Sequence, residues 1–525
     1  MYTIRRQQHS ILLLLLAPLL LTSFTACRES FKKNKSHQQV PDNQVAAGQA
    51  LAVRFCQSCH LLPDPSQLSA SAWENGVLPA MGPHFGIFAY GFSKYPSYRS
   101  DKDLPRNYYP STPVISSVQW QSIIDYYTSL APDSMPPQPP HDSIHSEQAV
   151  FSAGYANLRY PSPAVCLTQI DTARHQLFVF DLAKQSLFVF NPQLQLTDSV
   201  STAATITSID NRNDSLLACN IGVINPNNGK FGKAQRLYTD KNNKLQLDTA
   251  ALFGGMGRPV KISSCDLNND GKTDYLVCEF GHLIGALSWM ENKGDGSFER
   301  HVLRAEPGAL MTYTEDVNHD GLQDVWALFS QGNESIVLFM NKGKGQFDQQ
   351  QVLRFPAING STYFEFADIN KDGRKDIIYT CGDNADFSVV LKPYHGVYIF
   401  LNEGNNHFTQ QYFYPINGCY KAMARDFDAD GDLDIAAIGF SADFAKKPEE
   451  GFVYLENKGN WQFRPSTLPA CSSGRWLTMD AGDIDGDGKP DIVLGNFSIR
   501  PSDIQPHPAW EQGPPFMVLK NISKK

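Results

Sequence analysis

Five consecutive residues, Cys56-Gln57-Ser58-Cys59-His60, carry the most specific chemistry in the chain: two thiols a helical turn apart, followed at once by an imidazole. Thiols so placed can each add to a vinyl group of one porphyrin, with His60 then standing as an axial iron ligand, the arrangement of haem c. A redox dithiol would need a βαβ setting that is absent here, and half of a zinc site would need a second ligand pair. Met81, in Val77-Leu78-Pro79-Ala80-Met81-Gly82, is the expected sixth ligand, because Pro and Gly bracket a loop able to aim its thioether at the iron. His84, three residues on, would instead give bis-histidine ligation.

A second chemistry repeats. The pattern D-x-[DN]-x-D-G-x-x-D begins at Asp266, Asp316, Asp368, Asp426 and Asp483, at spacings of 50, 52, 58 and 57 residues. Oxygen ligands at alternating positions let a tight loop wrap a hard cation, and Gly at position six supplies the chain reversal. Up to five calcium ions are therefore expected. Their ligands are Asp266, Asn268, Asp270 and Asp274; Asp316, Asn318, Asp320 and Asp324; and Asp368, Asn370, Asp372 and Asp376. Asp426, Asp428, Asp430 and Asp434 follow, then Asp483, Asp485, Asp487 and Asp491, with a backbone carbonyl at position seven completing each set. An EF-hand would place Glu at position twelve, but Val277, Ala327, Tyr379, Ala437 and Leu494 stand there in strand-like sequence, so that reading fails.

The elements around these motifs divide the chain. Residues 44–55 read as a helix leading into the thiols. Residues 118–130 read as an amphipathic helix whose apolar face, Trp120, Ile123, Ile124 and Tyr127, would pack over the first helix and the haem edge. Residues 44–132 thus resemble the small cytochrome c fold. A linker rich in Pro, Ser, His and Asp occupies 133–149. Beyond it, each acidic loop joins two strand-like runs, as at 420–425 and 434–440, with further runs at 452–456 and 462–468. Phe298, Phe347, Phe408 and Phe463 recur after Asn-Lys-Gly or Asn-Glu-Gly turns.

These repeats resemble the FG-GAP (VCBS) blades of integrin α-subunits, a resemblance that implies calcium in the hairpin between the first two strands of a blade. Two units without the carboxylates, at 163–180 and 203–221, precede the five, so 150–525 holds seven units of about 54 residues. The expected fold is mainly β, a seven-bladed FG-GAP propeller preceded by a small all-α cytochrome c domain. The last unit stops after its third strand, 516–521. Residues 150–160 are expected to pair there and close the ring, placing the haem domain at the rim of blade seven.

Arg5 and Arg6 precede an apolar run at 11–21, a small-residue stretch at 22–26 and Cys27, the pattern of a secretory signal and too short to cross a bilayer as a helix. Thr25-Ala26-Cys27 resembles the bacterial lipoprotein box. That resemblance implies a signal peptide at 1–26, lipidation at Cys27, a tether at 27–43, and an exported chain anchored to a bacterial membrane on its periplasmic or cell-surface side. A net charge of -9 over 525 residues argues against nucleic acid as a partner. Seven of the ten cysteines lie outside the lipid and haem motifs, so at least one is unpaired; Cys219, Cys278 and Cys381 sit in apolar runs that suit buried thiols.

In the innermost strands, Lys261, Glu315, Glu365, Lys421, Arg425 and Asp480 alternate with apolar residues, so charge of both signs should line the channel, either to bind a polar ligand or paired around water, with Arg258 and Arg475 at its mouth. No nucleophile–base pair, phosphate-binding loop or quinone signature stands out. The expected function is electron transfer to a redox partner protein or small electron donor or acceptor, with the calcium-stabilised propeller as scaffold or docking module. Two alternatives are an oxidoreductase, perhaps quinone-dependent, whose propeller oxidises a substrate and reduces the haem, and an adhesion protein binding a glycan or protein at the channel.

Overall fold

In the second strand of each acidic-loop unit, such as Asp274–Glu279, Asp324–Phe329 and Asp434–Gly439, every residue is buried. Such strands lack the in-out alternation of a sheet with one wet face, because each blade is covered on both sides by its neighbours. A computed structural model describes residues 31–211, 215–384, 388, 390–499 and 507–524. It arranges seven antiparallel sheets, six of four strands and one of five, as a β-propeller. Every innermost strand has a register shift near its start, for example between Pro259 and Lys261 and between Cys419 and Lys421. This bulge, at the same end of each inner strand, increases the local twist there.

The closing strand falls where the sequence places it. Phe151–Gly154 pairs antiparallel with Phe516–Asn521, Phe151 opposite Asn521 and Gly154 opposite Val518, making the fourth strand of blade seven. The Phe151 ring packs between blades, 5.3 Å from Phe427 and 5.5 Å from Tyr454.

The N-terminal unit is built on two long helices, α1 (Asp42–Phe55) and α2 (Ser117–Leu130). They cross at Gly48, where a Cβ would stand 1.9 Å from the Ser122 carbonyl oxygen, so no larger residue fits without separating the helices. Ser116 and Gln119 form a capping box that starts α2. Trp120, Ile123 and Tyr127 are buried against Val45, Ala52 and Trp73.

This unit is not at the rim of blade seven. It sits on the upper face of the propeller, the end opposite the acidic loops. The Tyr108 hydroxyl donates to the Leu283 carbonyl (3.3 Å), Asn228 Nδ2 to Asp101 (2.8 Å) and the Tyr394 hydroxyl to the Gln67 carbonyl (3.1 Å), while Tyr98 packs on His282. These contacts span blades two, three and five. The linker explains the difference, because it lies along blade six: His145 pairs with Ser466, its N–H donating to Pro465 and its carbonyl accepting from Thr467. Nor is the whole of 27–43 a free tether. Phe31 packs on the helical core and the Asn34 N–H donates to Ser129 (2.6 Å). Cys27 and the segment 1–26 lie outside the described residues, among which no helix is long and apolar enough to cross a membrane.

Candidate functional site

The thiol motif continues the end of α1. Cys56 keeps helical geometry and its N–H donates to Ala52 (2.8 Å), while the Cys59 N–H reaches back to Cys56 (3.5 Å). Burial, reinforced by Cys59, pushes the Cys56 thiol up to about 12, so it is protonated at neutral pH. That disfavours a resting thiolate at Cys56. Among the described residues, neither cysteine joins a group of three metal-binding side chains.

His60 Nδ1 lies 3.0 Å from the Leu61 carbonyl, which orients the ring and leaves Nε2 for a metal. Burial and then the charge of His60 hold the His84 imidazole below its ordinary value, which places these two histidines within electrostatic reach of each other. His84 stands edge-on to Tyr108 and Tyr109, and Met81 packs, half-buried, on the same apolar cluster as Phe55, Leu62, Phe85 and Trp120. A donor set of two thiols and an imidazole against an aromatic wall fits haem c. Met81 and His84 lie three residues apart in adjoining helical turns.

The acidic loops share one geometry. In the first, the Asp270 N–H donates to Asp266 Oδ1 and Asn268 Oδ1 (3.2 Å each), and the Gly271 N–H to Asp266 Oδ2 (2.9 Å). The loops at Asp316 and Asp368 repeat this bond for bond. The last carboxylate of each loop, Asp274, Asp324, Asp376, Asp434 or Asp491, is buried. One of its oxygens accepts from the N–H of Asn292, Asn341, Asn402, Asn457 or Asn521 at the end of the third strand; the other accepts from the residue following the first Asp. Position nine therefore clamps loop to blade. Burial raises Asp434 to about 7 and Asp491 to about 6.

Carboxylates converge most tightly in the last two loops. The ligand atoms of Asp426, Asp428 and Asp430 lie within 4.8 Å of one another, as do those of Asp483, Asp485 and Asp491. Such crowding, unfavourable between like charges, is what a divalent cation relieves.

At the channel the expectation needs correction. Arg475 is only 2% exposed, donates to the carbonyls of Phe440 and Ile499 (3.0 Å each) and stacks on Phe440. Arg258 donates to the carbonyls of Ile224 and Gly281. Both guanidiniums fasten the loops that follow second strands, Arg475 at the junction of blades six and seven and Arg258 at that of blades two and three. Deeper in, Glu365 is paired with Arg425 at 3.1 Å. The sequence reading missed Tyr98, Tyr108, Asn228 and Tyr394, which join the helical unit to the propeller.

The FG-GAP-like repeat family matches residues 266–327, 316–379 and 426–494. Integrin alpha-PS3 of Drosophila melanogaster is 37% identical over 113 residues, covering 19% of this chain and 10% of that protein. Integrin alpha pat-2 of Caenorhabditis briggsae is 27% identical over 237 residues, covering 40% of this chain and 18% of that protein. The chain thus spans less than a fifth of the length of these relatives. Among solved structures, the N-terminal domain of Nup159 aligns with a TM-score of 0.39 at 10% identity, over 73% of this chain and 98% of that one. BBS1N in complex with ARL6DN aligns with a TM-score of 0.43 at 9% identity, over 72% and 99%.

Proposed function

We propose that this chain, FG-GAP repeats on a seven-bladed β-propeller, is an exported, lipid-anchored binding protein that carries a c-type haem. The propeller is the module that engages a protein or glycan ligand, a reading supported by the match of its repeats to integrin α-chains. Cys56 and Cys59 would hold the haem by thioether bonds, with His60 and Met81 as iron ligands; when bound, it supplies one-electron redox chemistry. Leu61 orients His60, and Phe55, Phe85 and Trp120 keep water from that side. Lipidated Cys27 would hold the mature chain at the outer side of a membrane, and calcium in the five acidic loops would brace the propeller.

Tyr108 is the observation that carries the combined reading. Its ring packs against His84 and its hydroxyl against Leu283 of blade three, so the haem wall and the propeller form one packed body.

The test is expression of the full chain in a host that attaches haem c. Haem should survive denaturing electrophoresis and vanish in Cys56→Ala/Cys59→Ala. A methionine-ligation absorption band lost in Met81→Ala, and kept in His84→Ala, supports the assigned ligands. Absence of covalent haem overturns the haem reading. Haem reduction on adding candidate alcohols or sugars would favour the oxidoreductase alternative. Binding screens against proteins and glycans test the module itself.

A further inference from the structure

The turn between the third and fourth strands is built alike in four successive blades, with one residue out of character. It reads Lys293-Gly294-Asp295-Gly296-Ser297 in blade three and Lys342-Gly343-Lys344-Gly345-Gln346 in blade four. Blade five has Glu403-Gly404-Asn405-Asn406-His407, and blade six Lys458-Gly459-Asn460-Trp461-Gln462. The fourth residue is left-handed every time, with φ of +91° at Gly296, +72° at Gly345, +57° at Asn406 and +62° at Trp461. Glycine takes that conformation freely and asparagine tolerates it, whereas a bulky aromatic is strained there. Such strain concentrates at ligand-binding sites.

Trp461 is half-buried and lines a groove of about 840 Å³ between the linker and the outer edge of blades five and six. Tyr412 and Phe463 extend the aromatic wall, their rings 4.8 Å apart. The rim is polar: Gln462 and Arg464 from the propeller, His141 and Asp142 from the linker. Arg464 and Lys458 both reach Glu456, so the basic groups at the rim have an acid of their own. The edge of the strand Phe463–Ser466 is already taken, since the His145 N–H donates to Pro465 and the Thr467 N–H to His145. A peptide arriving as an added strand meets no free ladder in that stretch.

Aromatic faces ringed by uncharged and balanced polar groups match a ligand with apolar C–H faces and a girdle of hydroxyls. We propose that this groove binds a neutral oligosaccharide, with Trp461 as the platform on which a pyranose ring stacks. The proposal rests on the reading of the propeller as a binding module and names both ligand class and site, at the edge of the propeller rather than at its channel.

Calorimetric titration of the full chain with cellohexaose, chitohexaose, xylohexaose and maltohexaose tests it. At least one should bind, and Trp461→Gly should weaken that binding by about tenfold or more. Glycine suits the turn, so the same variant should melt at or above the parent temperature. Tyr412→Ala should weaken binding too, and its melting curve separates lost contact from lost folding. The proposal is overturned if none of the four sugars binds, if Trp461→Gly binds the sugar as well as the parent does, or if a proline-rich peptide and not a sugar shows the Trp461 dependence. A chain that binds proteins but none of these sugars refutes the groove proposal and leaves the binding-module reading standing; a chain that binds neither refutes both.

Discussion

Blade one and blades three to seven meet the same demand at the lower end of their inner hairpins in different ways. In blade one the turn is short, and Asp171, 1% exposed, accepts from Arg174: the backbone N–H at 3.1 Å and Nη1 at 2.8 Å. In blades three to seven the connection is a long acidic loop ending in a buried aspartate. A buried carboxylate requires hydrogen bonds and a positive partner. Where the loop is short, an arginine side chain supplies the charge; where it is long, several carboxylates gather, and the proposed calcium ion would supply it. On that proposal metal dependence follows loop length and not the blade architecture itself.

Chelation separates the two designs with the largest effect. Exhaustive removal of calcium should lower the melting temperature by about 10 °C or more. Hydrogen exchange should rise in the hairpins after Asp266, Asp316, Asp368, Asp426 and Asp483 while the blade-one turn keeps its protection. Equal loss in blade one would break the comparison.

Phe151→Ala tests the ring in which both designs sit. Emptying that inter-blade site should cost about 3 to 5 kcal/mol by denaturant unfolding, and a loss under about 1 kcal/mol would show that the closing strand contributes little. Arg174→Ala should cost less, about 1 to 2 kcal/mol, and by the same amount with or without calcium. A calcium-dependent cost there would mean that blade one also holds an ion.

The smallest effect lies at the opposite rim, where a carboxylate is buried with no metal motif. Glu334 accepts from the Gly360 and Ser361 N–H groups and the Ser361 hydroxyl, with Lys392 nearby, yet burial lifts it from 4.5 to about 7. The folded state holds this proton more tightly than the unfolded one. Its contribution is therefore full below pH 4.5 and lost as pH rises through about 7. Glu334→Gln should flatten the stability curve across that window, as read from urea midpoints; an unchanged slope would assign it elsewhere.

The repeat was legible because alternating oxygens and a fixed glycine are local constraints, written within nine residues and copied five times. Ring closure was legible for a related reason: blade seven lacks one strand and 150–160 has no partner. The seat of the helical unit was not. Tyr108 and Leu283 are 175 residues apart in sequence, and nothing periodic links them. Arg258 and Arg475 were misplaced because strand alternation gives the side on which a residue emerges but not the carbonyls that capture a long side chain. The signal for Trp461 was present and unread: aligning the four Gly-containing turns puts Trp in register with Gly296, Gly345 and Asn406.

The pairing of Phe151 with Asn521 also orders events in time. The two residues are 521 − 151 = 370 positions apart, so this contact has among the largest sequence separations in the chain and should be among the slowest to form. During synthesis from the N-terminus, 151–154 emerges long before 516–521. The helical unit, whose core is assembled from residues 40–131, has no such wait. Maturation of that unit can therefore precede completion of the ring, and a chain cut short shortly before residue 516 would carry a finished helical unit beside a propeller with an open seam.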